Sequence, residues 1–208
     1  MRQIWLVVAA FAAAAGVLGP LRASAQEGGP AVTAADRVLG KPDAPVTIIE
    51  YGSLTCPHCA EFDEKTFPTL KANWIDTGKA KLVFRVFPLN KVDVGAAAVA
   101  SCVPADRYYD FIDAVYKSQG TWSRAADPVQ AIATIARLGG GLSDDKVKSC
   151  LADQTLQKSI VDQAYATSKA YGVESTPTFF INGAKMDPNG AQPIEVFDQV
   201  LTAAQPKT

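Results

Sequence analysis

The sequence predicts an α/β domain that is interrupted by a large helical insertion. A strand, a helix and a second strand follow one another within residues 44–88. Across residues 89–175 the apolar side chains recur with a helical period, and strand patterns are scarce. Strand patterning returns in residues 176–208, with a hairpin and a closing helix. The two outer segments are therefore expected to form one sheet that the insertion divides in the sequence.

The first 25 residues have the pattern of a secretory signal peptide. Arg2 provides a basic start, an apolar stretch runs from Ile4 to Leu18, and Ala25 ends a small-residue cleavage site before Gln26. An uncleaved membrane anchor is the alternative, but the apolar stretch is short against the roughly 20 residues that a membrane-spanning helix needs. The pattern predicts export, with cleavage between Ala25 and Gln26.

The composition of the mature chain argues against a nucleic acid or an anionic membrane as partner. Removing residues 1–25 leaves 183 residues and takes away two arginines, so that 18 basic side chains face 21 acidic ones and the net charge is −3. A chain of this length can bury a sizeable core, so it does not need disulfides as general scaffolding.

The first part of the sheet is predicted from apolar patterning. Residues 26–43 form a polar arm with a short edge strand near residues 36–39. Val46–Tyr51 has the nearly continuous apolar character of a central strand, and Lys81–Phe87 alternates as a second core strand. Between them a helix is expected from Pro57. Despite a kink at Pro68, its apolar residues fall on one arc about 140° wide: Cys59, Phe62, Phe67, Leu70 and Trp74.

The insertion is expected to hold several helices. Their ends are predicted from helix-capping residues. The helices are an alanine-rich one that ends near Cys102, one after Pro104, one capped by Asp127 and Pro128, one capped by Ser143 that carries Cys150, and one from about Leu156 to Tyr171 that Gly172 stops.

The last segment completes the predicted sheet. Thr178–Ile181 is a strand pattern, and Asn182-Gly183 is a strong hairpin signal into a further strand. An amphipathic helix then carries Ile194 and Phe197 on its apolar face.

The motif Cys56-Pro57-His58-Cys59 indicates a redox-active pair of cysteines. The start of a helix favours a thiolate, which is the reactive form of cysteine. Half of a zinc site is an alternative, but zinc needs about four ligands, and His58 is the only histidine. An inert bridge is the other alternative. The sequence therefore predicts thiol chemistry without a metal or another cofactor.

Two motifs in the right order resemble the thioredoxin superfamily, and more closely the DsbA family of periplasmic thiol oxidases. The first is Cys56-Pro57-His58-Cys59 at the start of a helix, and the second is Thr176-Pro177 before a strand. The resemblance implies a thioredoxin-like fold with a large inserted helical domain. It also implies a cis peptide bond before Pro177, where base rates alone favour trans. Threonine before this proline also resembles disulfide isomerases.

The expected roles of the site residues follow from the helix and from the resemblance. Cys56 is expected to be the exposed attacking sulfur, with Cys59 as its buried partner. The dipole of a helix stabilises a charge by about 2 kcal/mol at best, which is too little for a strongly acidic thiol. Backbone N–H groups and the imidazole of His58 are therefore expected to donate to Cys56, unless His58 is only solvated. Pro57 is expected to lie with it on the surface.

The resemblance also implies roles outside the cysteine motif. Glu50 matches an acid that assists proton movement at Cys59, although it is otherwise a strand-end residue that reaches solvent. The backbone of Thr176 is expected to pair with an extended substrate peptide beside Pro177.

Cys102 and Cys150 lie 48 residues apart in the predicted insertion. A structural bridge between two inserted helices is the simplest interpretation in an oxidising compartment, and the resemblance includes DsbA-like proteins with such a bridge. Two free buried thiols are the alternative.

Three functions compete on these residues. The first is a monomeric periplasmic oxidase that passes the Cys56–Cys59 disulfide to exported proteins and is reoxidised by a DsbB-like membrane quinone reductase. The second is an isomerase or reductase that uses the same cysteines in the opposite direction. The third is a binding module or holdase in which the bridge is static.

Overall fold

A computed structural model describes residues 28–206 of the chain. The predicted signal peptide and its cleavage site at Ala25 lie outside the described residues. A mixed five-stranded sheet has the order β1-β3-β2-β4-β5, in which only the β2–β3 pair is parallel. The strands are β1 (Val38–Leu39), β2 (Val46–Gly52), β3 (Ala80–Val86), β4 (Thr178–Ile181) and β5 (Ala184–Lys185).

The central strand β2 is covered on both faces, as its sequence predicts. Val46 and Ile48 pack with the first helix and the closing helix, whereas Ile49 and Tyr51 pack against Val173 and other apolar side chains on the opposite face. Glu50 shares the alternation of Val46 and Ile48, so its side chain is directed toward the first helix.

The helix that follows β2 is segmented. Helix α1 (Pro57–Lys65) ends at Thr66, and a short helix α2 (Phe67–Leu70) and a π-helical segment (Lys71–Ile75) continue it. The break lies next to the proline at which the sequence predicts a kink.

The predicted helical insertion is confirmed, and its helices between Lys91 and Ala152 contribute to one apolar cluster over the start of α1. Predicted caps form, because Asp127 accepts from the N–H of Gln130 and Ser143 from the N–H of Lys146. The inserted helices are α3 (Lys91–Cys102), a 3₁₀ turn (Ala105–Arg107), α4 (Tyr108–Lys117), α5 (Gln119–Trp122), α6 (Pro128–Leu138), α7 (Asp144–Ala152) and α8 (Gln154–Tyr171).

The ends of the last elements also follow the predictions. Helix α8 stops at Gly172, whose φ of +63° suits a residue without a side chain. Asn182 and Gly183 form the hairpin between β4 and β5, and helix α9 (Ile194–Ala204) closes the fold. Within residues 28–206, no helix combines the length and hydrophobicity required to cross a bilayer.

Cys102 and Cys150 form a disulfide that joins the end of α3 to α7. Their Cα atoms are 6.5 Å apart, within the usual range for a bridged pair. The alternative of two free thiols therefore does not describe this structure.

Candidate active site

The two remaining cysteines lie at the start of α1 as a free pair. Cys56 is the N-cap residue, Pro57 opens the helix, and Cys59 lies one turn into it, fully buried. Only 8% of the surface of Cys56 is exposed, so it is largely covered rather than solvent-facing as expected from sequence. The order of exposure is nevertheless as predicted, since Cys59 has no exposed surface.

The loop before β4 covers Cys56. The peptide bond between Thr176 and Pro177 is cis, and the carbonyl oxygen of Thr176 lies 3.3 Å from the Sγ of Cys56, which can donate to it only in the thiol form. Strand pairing between β2 and β4 brings this loop to the helix start, because Tyr51 pairs with Thr178. This contact accounts for the low exposure of Cys56.

The surroundings of Cys56 favour its thiolate. The pKa of Cys56 is lowered to about 5, against the opposing effect of burial. A hydrogen bond from the Cys59 thiol contributes most, followed by the side chain of Thr176 and then by the backbone N–H groups of Cys59 and His58. A thiol with this pKa is almost fully deprotonated at neutral pH.

Cys59 has the opposite environment. Its pKa is raised far above that of free cysteine, first by burial, then by its hydrogen bond to Cys56 and by the charge of Glu50. The pair therefore holds one proton between the two sulfurs at neutral pH, and the anionic charge lies on Cys56.

The side chain of His58 lies at the surface, as the sequence predicts, but it is not a donor to Cys56. Its side chain is 73% exposed, and its Nδ1 lies 3.5 Å from a carboxylate oxygen of Glu61. The contribution of His58 to the pKa of Cys56 comes from its backbone N–H. The expectation that the imidazole donates to the sulfur is wrong for this structure, because one turn of helix directs the side chain outward while the N–H points back along the axis.

Glu50 is a buried acid beneath the cysteine pair. Strand β2 continues past it to Gly52, and only 4% of Glu50 is exposed, which excludes a side chain that reaches solvent. Its Oε1 has no hydrogen-bond partner among the described residues. Burial, followed by the charges of Asp63 and Cys56, raises the pKa of Glu50 well above its ordinary value. Glu50 therefore holds a proton more tightly than a solvated glutamate does.

Asp63 is a second buried acid, which the sequence interpretation missed. It is 7% exposed, lies one turn beyond Cys59 on α1, and lines a cavity of about 10 Å³ together with Glu50. Burial, with a smaller effect of the Asp113 charge, raises the pKa of Asp63 to about 7. The helical arc that contains Cys59 also contains position 63, so this signal was present in the sequence.

We expect Asp63→Asn to stabilise the protein at alkaline pH. An unfolded aspartate has a pKa of about 3.9, so the folded protein becomes less stable as pH rises from about 4 to about 7, where Asp63 loses its proton in the folded state. Removing this acid should raise the free energy of unfolding by about 2 kcal/mol at pH 8 and by much less at pH 4. Urea unfolding at the two pH values measures both. Asp162→Asn, at a carboxylate of α8 that is 61% exposed, should show no such difference. Equal effects of Asp63→Asn at both pH values would contradict the assignment.

Side chains of the insertion hold the chain just before Cys56. Asp93 of α3 accepts from Ser53 and Thr55, and Gln119 of α5 donates to the carbonyl oxygen of Cys56 at 3.1 Å. These contacts join residues between 38 and 63 positions apart in the sequence. No local pattern reveals such pairs.

The residues that the structure describes contain no cluster of three or more histidine, cysteine or carboxylate side chains that could hold a metal ion. The site is therefore described by its two sulfurs, two buried acids and cis-proline loop.

A family model described as thioredoxin matches residues 32–201. A Rickettsia bellii protein named a protein-disulfide oxidoreductase is 34% identical over 153 residues, which cover 73% of this chain and 59% of the relative. Disulfide bond formation protein D of Bacillus subtilis is 26% identical over 149 residues, covering 70% of this chain and 67% of that protein. The chain thus matches little more than half the length of the rickettsial protein.

Solved structures give a similar picture. The crystal structure of Wolbachia pipientis alpha-DsbA1 superposes with a TM-score of 0.76 at 31% identity, covering 83% of this chain and 92% of that one. Oxidised BdbD from Bacillus subtilis also superposes with a TM-score of 0.76, at 23% identity and with 85% and 96% coverage, which is a likeness of fold.

Proposed function

Because this chain belongs to the DsbA-like proteins of the thioredoxin superfamily, we propose that it is a thiol oxidase that transfers the Cys56–Cys59 disulfide to cysteines of exported proteins. The observation that carries the proposal is the opposite environment of the two thiols. The pKa of Cys56 is lowered and the pKa of Cys59 is raised. A stabilised thiolate is a good leaving group and makes the disulfide easier to reduce.

Disulfide transfer proceeds in two exchanges. A substrate thiolate attacks the Sγ of Cys56, the Cys56–Cys59 bond breaks, and the Cys59 thiolate takes a proton from Glu50. A second substrate thiolate then attacks the substrate sulfur of the mixed disulfide. Cys56 leaves as a thiolate, and the substrate keeps the new disulfide. The two electrons that the substrate thiols lose end on the cysteine pair. One of their two protons replaces the proton given up by Glu50, and the other is released to solvent.

The low pKa also sets the direction of transfer. At pH 7, lowering a thiol pKa from about 8.5 to about 5 stabilises the dithiol form by roughly 2 to 3 kcal/mol. This corresponds to about 40 to 60 mV at 30 mV per 1.4 kcal/mol, toward a more oxidising disulfide. We therefore expect the couple to be about 40 to 60 mV more oxidising than it would be with an ordinary thiol pKa at Cys56.

Substrate recognition is assigned to the cis-proline loop. The carbonyl oxygen of Thr176 lies 3.3 Å from the Sγ of Cys56, where it can accept from the backbone of an extended peptide attached to Cys56. Pairing of this kind reads main-chain atoms, so it accepts many sequences.

The cellular setting is part of the proposal. The signal-peptide pattern supports a periplasmic location, and the protein is proposed to act there as a monomer on exported proteins with unpaired cysteines. A DsbB-like membrane quinone reductase takes the electrons from the reduced pair and restores the disulfide.

Two refolding assays test the direction of transfer. The oxidised protein should restore the activity of reduced ribonuclease, with at least one disulfide formed for each Cys56–Cys59 disulfide supplied. It should restore little activity to scrambled ribonuclease. Activity confined to the scrambled substrate would contradict the oxidase assignment and favour an isomerase. Isomerases resemble this chain in having threonine before the cis-proline, at position 176.

A further inference from the structure

Asp93 is a fully buried carboxylate in the first turn of α3, where the insertion begins. Four donors surround its two oxygens. The hydroxyl groups of Ser53 and Thr55 donate at 2.7 and 2.8 Å, and the backbone N–H groups of Thr55 and Leu89 donate at 2.9 Å each. A buried carboxylate is costly unless it is bonded in this way, so the site is built around the acid.

The hydroxyl of Thr55 has a defined direction. Asn90 donates its side-chain N–H to the Oγ1 of Thr55 at 2.9 Å, so the single hydroxyl proton is left for Asp93. Asn90 also accepts from the backbone N–H of Asp93 and thereby caps α3. Asn90, Thr55 and Asp93 therefore form a closed ring of hydrogen bonds, in which each residue orients the next.

The segment that these bonds hold is residues 53–56, which we call the approach loop. It connects β2 to α1 and ends at Cys56. Tyr116 donates to the carbonyl oxygen of Ser53 at 3.2 Å, and Gln119 donates to that of Leu54 at 2.9 Å. All of these partners belong to the insertion, so the inserted helices hold the loop at the point where the chain turns into the helix.

We propose that Asp93 is a positioning residue for the thiol chemistry, which holds the approach loop so that the backbone N–H groups at the start of α1 point at the sulfur of Cys56. Asp93 touches no reacting atom and acts through Thr55 and the loop backbone. This inference rests on the proposed function, in which those N–H groups stabilise the thiolate.

Asparagine cannot replace the carboxylate in this cluster. An amide has one acceptor oxygen, and its NH₂ group would face the N–H of Thr55 or of Leu89, which is also a donor. At least one buried donor would lose its partner, and the approach loop would shift to find one.

The test compares Asp93→Asn with Asp127→Asn in the full mature chain. Asp127 caps α6 of the same insertion, where it accepts from the backbone N–H of Gln130 within its own helix. For Asp93→Asn we expect the pKa of Cys56, followed by thiolate absorbance at 240 nm, to rise by about one unit. The equilibrium constant with glutathione should change about tenfold, which is about 30 mV toward a more reducing couple. Asp127→Asn should leave both quantities at the wild-type values.

Ser53→Ala provides a milder variant in case Asp93→Asn does not fold. It removes one donor to Asp93 and keeps the other three, so the same two quantities should move in the same direction by a smaller amount. If the folded variants keep the wild-type pKa and equilibrium constant, the positioning role is refuted. That result leaves the oxidase intact, whereas a wild-type Cys56 with an ordinary pKa would refute the proposed function itself.

Discussion

Replacing Cys56 by serine is expected to lower disulfide transfer to reduced ribonuclease by three orders of magnitude or more, approximately to the background rate. A hydroxyl cannot form the mixed disulfide, and Cys59 cannot substitute for it because it has no exposed surface and a strongly raised pKa. The rate of oxidation is measured by the return of ribonuclease activity.

Cys59→Ser is the matched variant. It keeps the attacking sulfur but removes the partner that resolves the intermediate, so it should accumulate a stable mixed disulfide between Cys56 and a substrate cysteine. Mass spectrometry of the complex identifies the bond. A Cys56→Ser protein with full activity in cells would favour the binding or holdase function and contradict the exchange mechanism.

Removing the second disulfide is expected to lower the free energy of unfolding by about 4 kcal/mol. The bond closes a loop of 48 residues, and the chain-entropy relation for a loop of this length predicts that value. We suggest Cys102→Ala together with Cys150→Ala, because Cys150 is buried and a single change would leave a thiol free to exchange. Urea unfolding measures the change, with a fall in Tm of about 8 to 16 °C as a second readout.

The comparison requires the active-site pair in one redox state throughout. Both proteins are therefore measured with the Cys56–Cys59 disulfide formed. A loss of less than about 1 kcal/mol would mean that the bridge does not constrain the unfolded chain, and the bond would then need a different explanation.

Apolar periodicity and capping residues predicted most of the fold. The nearly continuous apolar run Val46–Tyr51 and the return of strand residues at Thr178–Ile181 correspond to β2 and β4. The caps at Asp127 and Ser143 and the stop at Gly172 are local signals, since each depends on atoms within about four residues. Local signals of this kind can be recognised in a single sequence.

The site could be predicted only in part, because much of its chemistry depends on contacts that are not local in the sequence. A helical wheel gives the direction of each Cα–Cβ bond, so it predicts a buried Cys59 and an exposed His58. It does not show that the backbone N–H of His58, rather than its imidazole ring, donates to Cys56. Asp63 lay on the predicted buried arc and was overlooked because an acid is usually taken for a solvated residue.

Asp93 and Gln119 could not be recognised from the sequence, because their partners are distant along the chain. Asp93 follows an N-cap residue by three positions, which is an ordinary place for an acid in a helix. Its partners Ser53 and Thr55 are 40 and 38 residues away. Only the packing of the insertion against the approach loop brings these groups together, so tertiary structure was needed to find them.

The most direct test of the account is a titration of Cys56 by its thiolate absorbance at 240 nm, on protein with the Cys56–Cys59 pair reduced and the Cys102–Cys150 bond intact. The Cys56→Ser protein supplies the baseline. We expect a single transition at a pKa of about 5, with no second thiolate below pH 8 because Cys59 keeps its proton. A transition near 8.5, the value of free cysteine, would contradict the stabilised thiolate on which the oxidase mechanism depends.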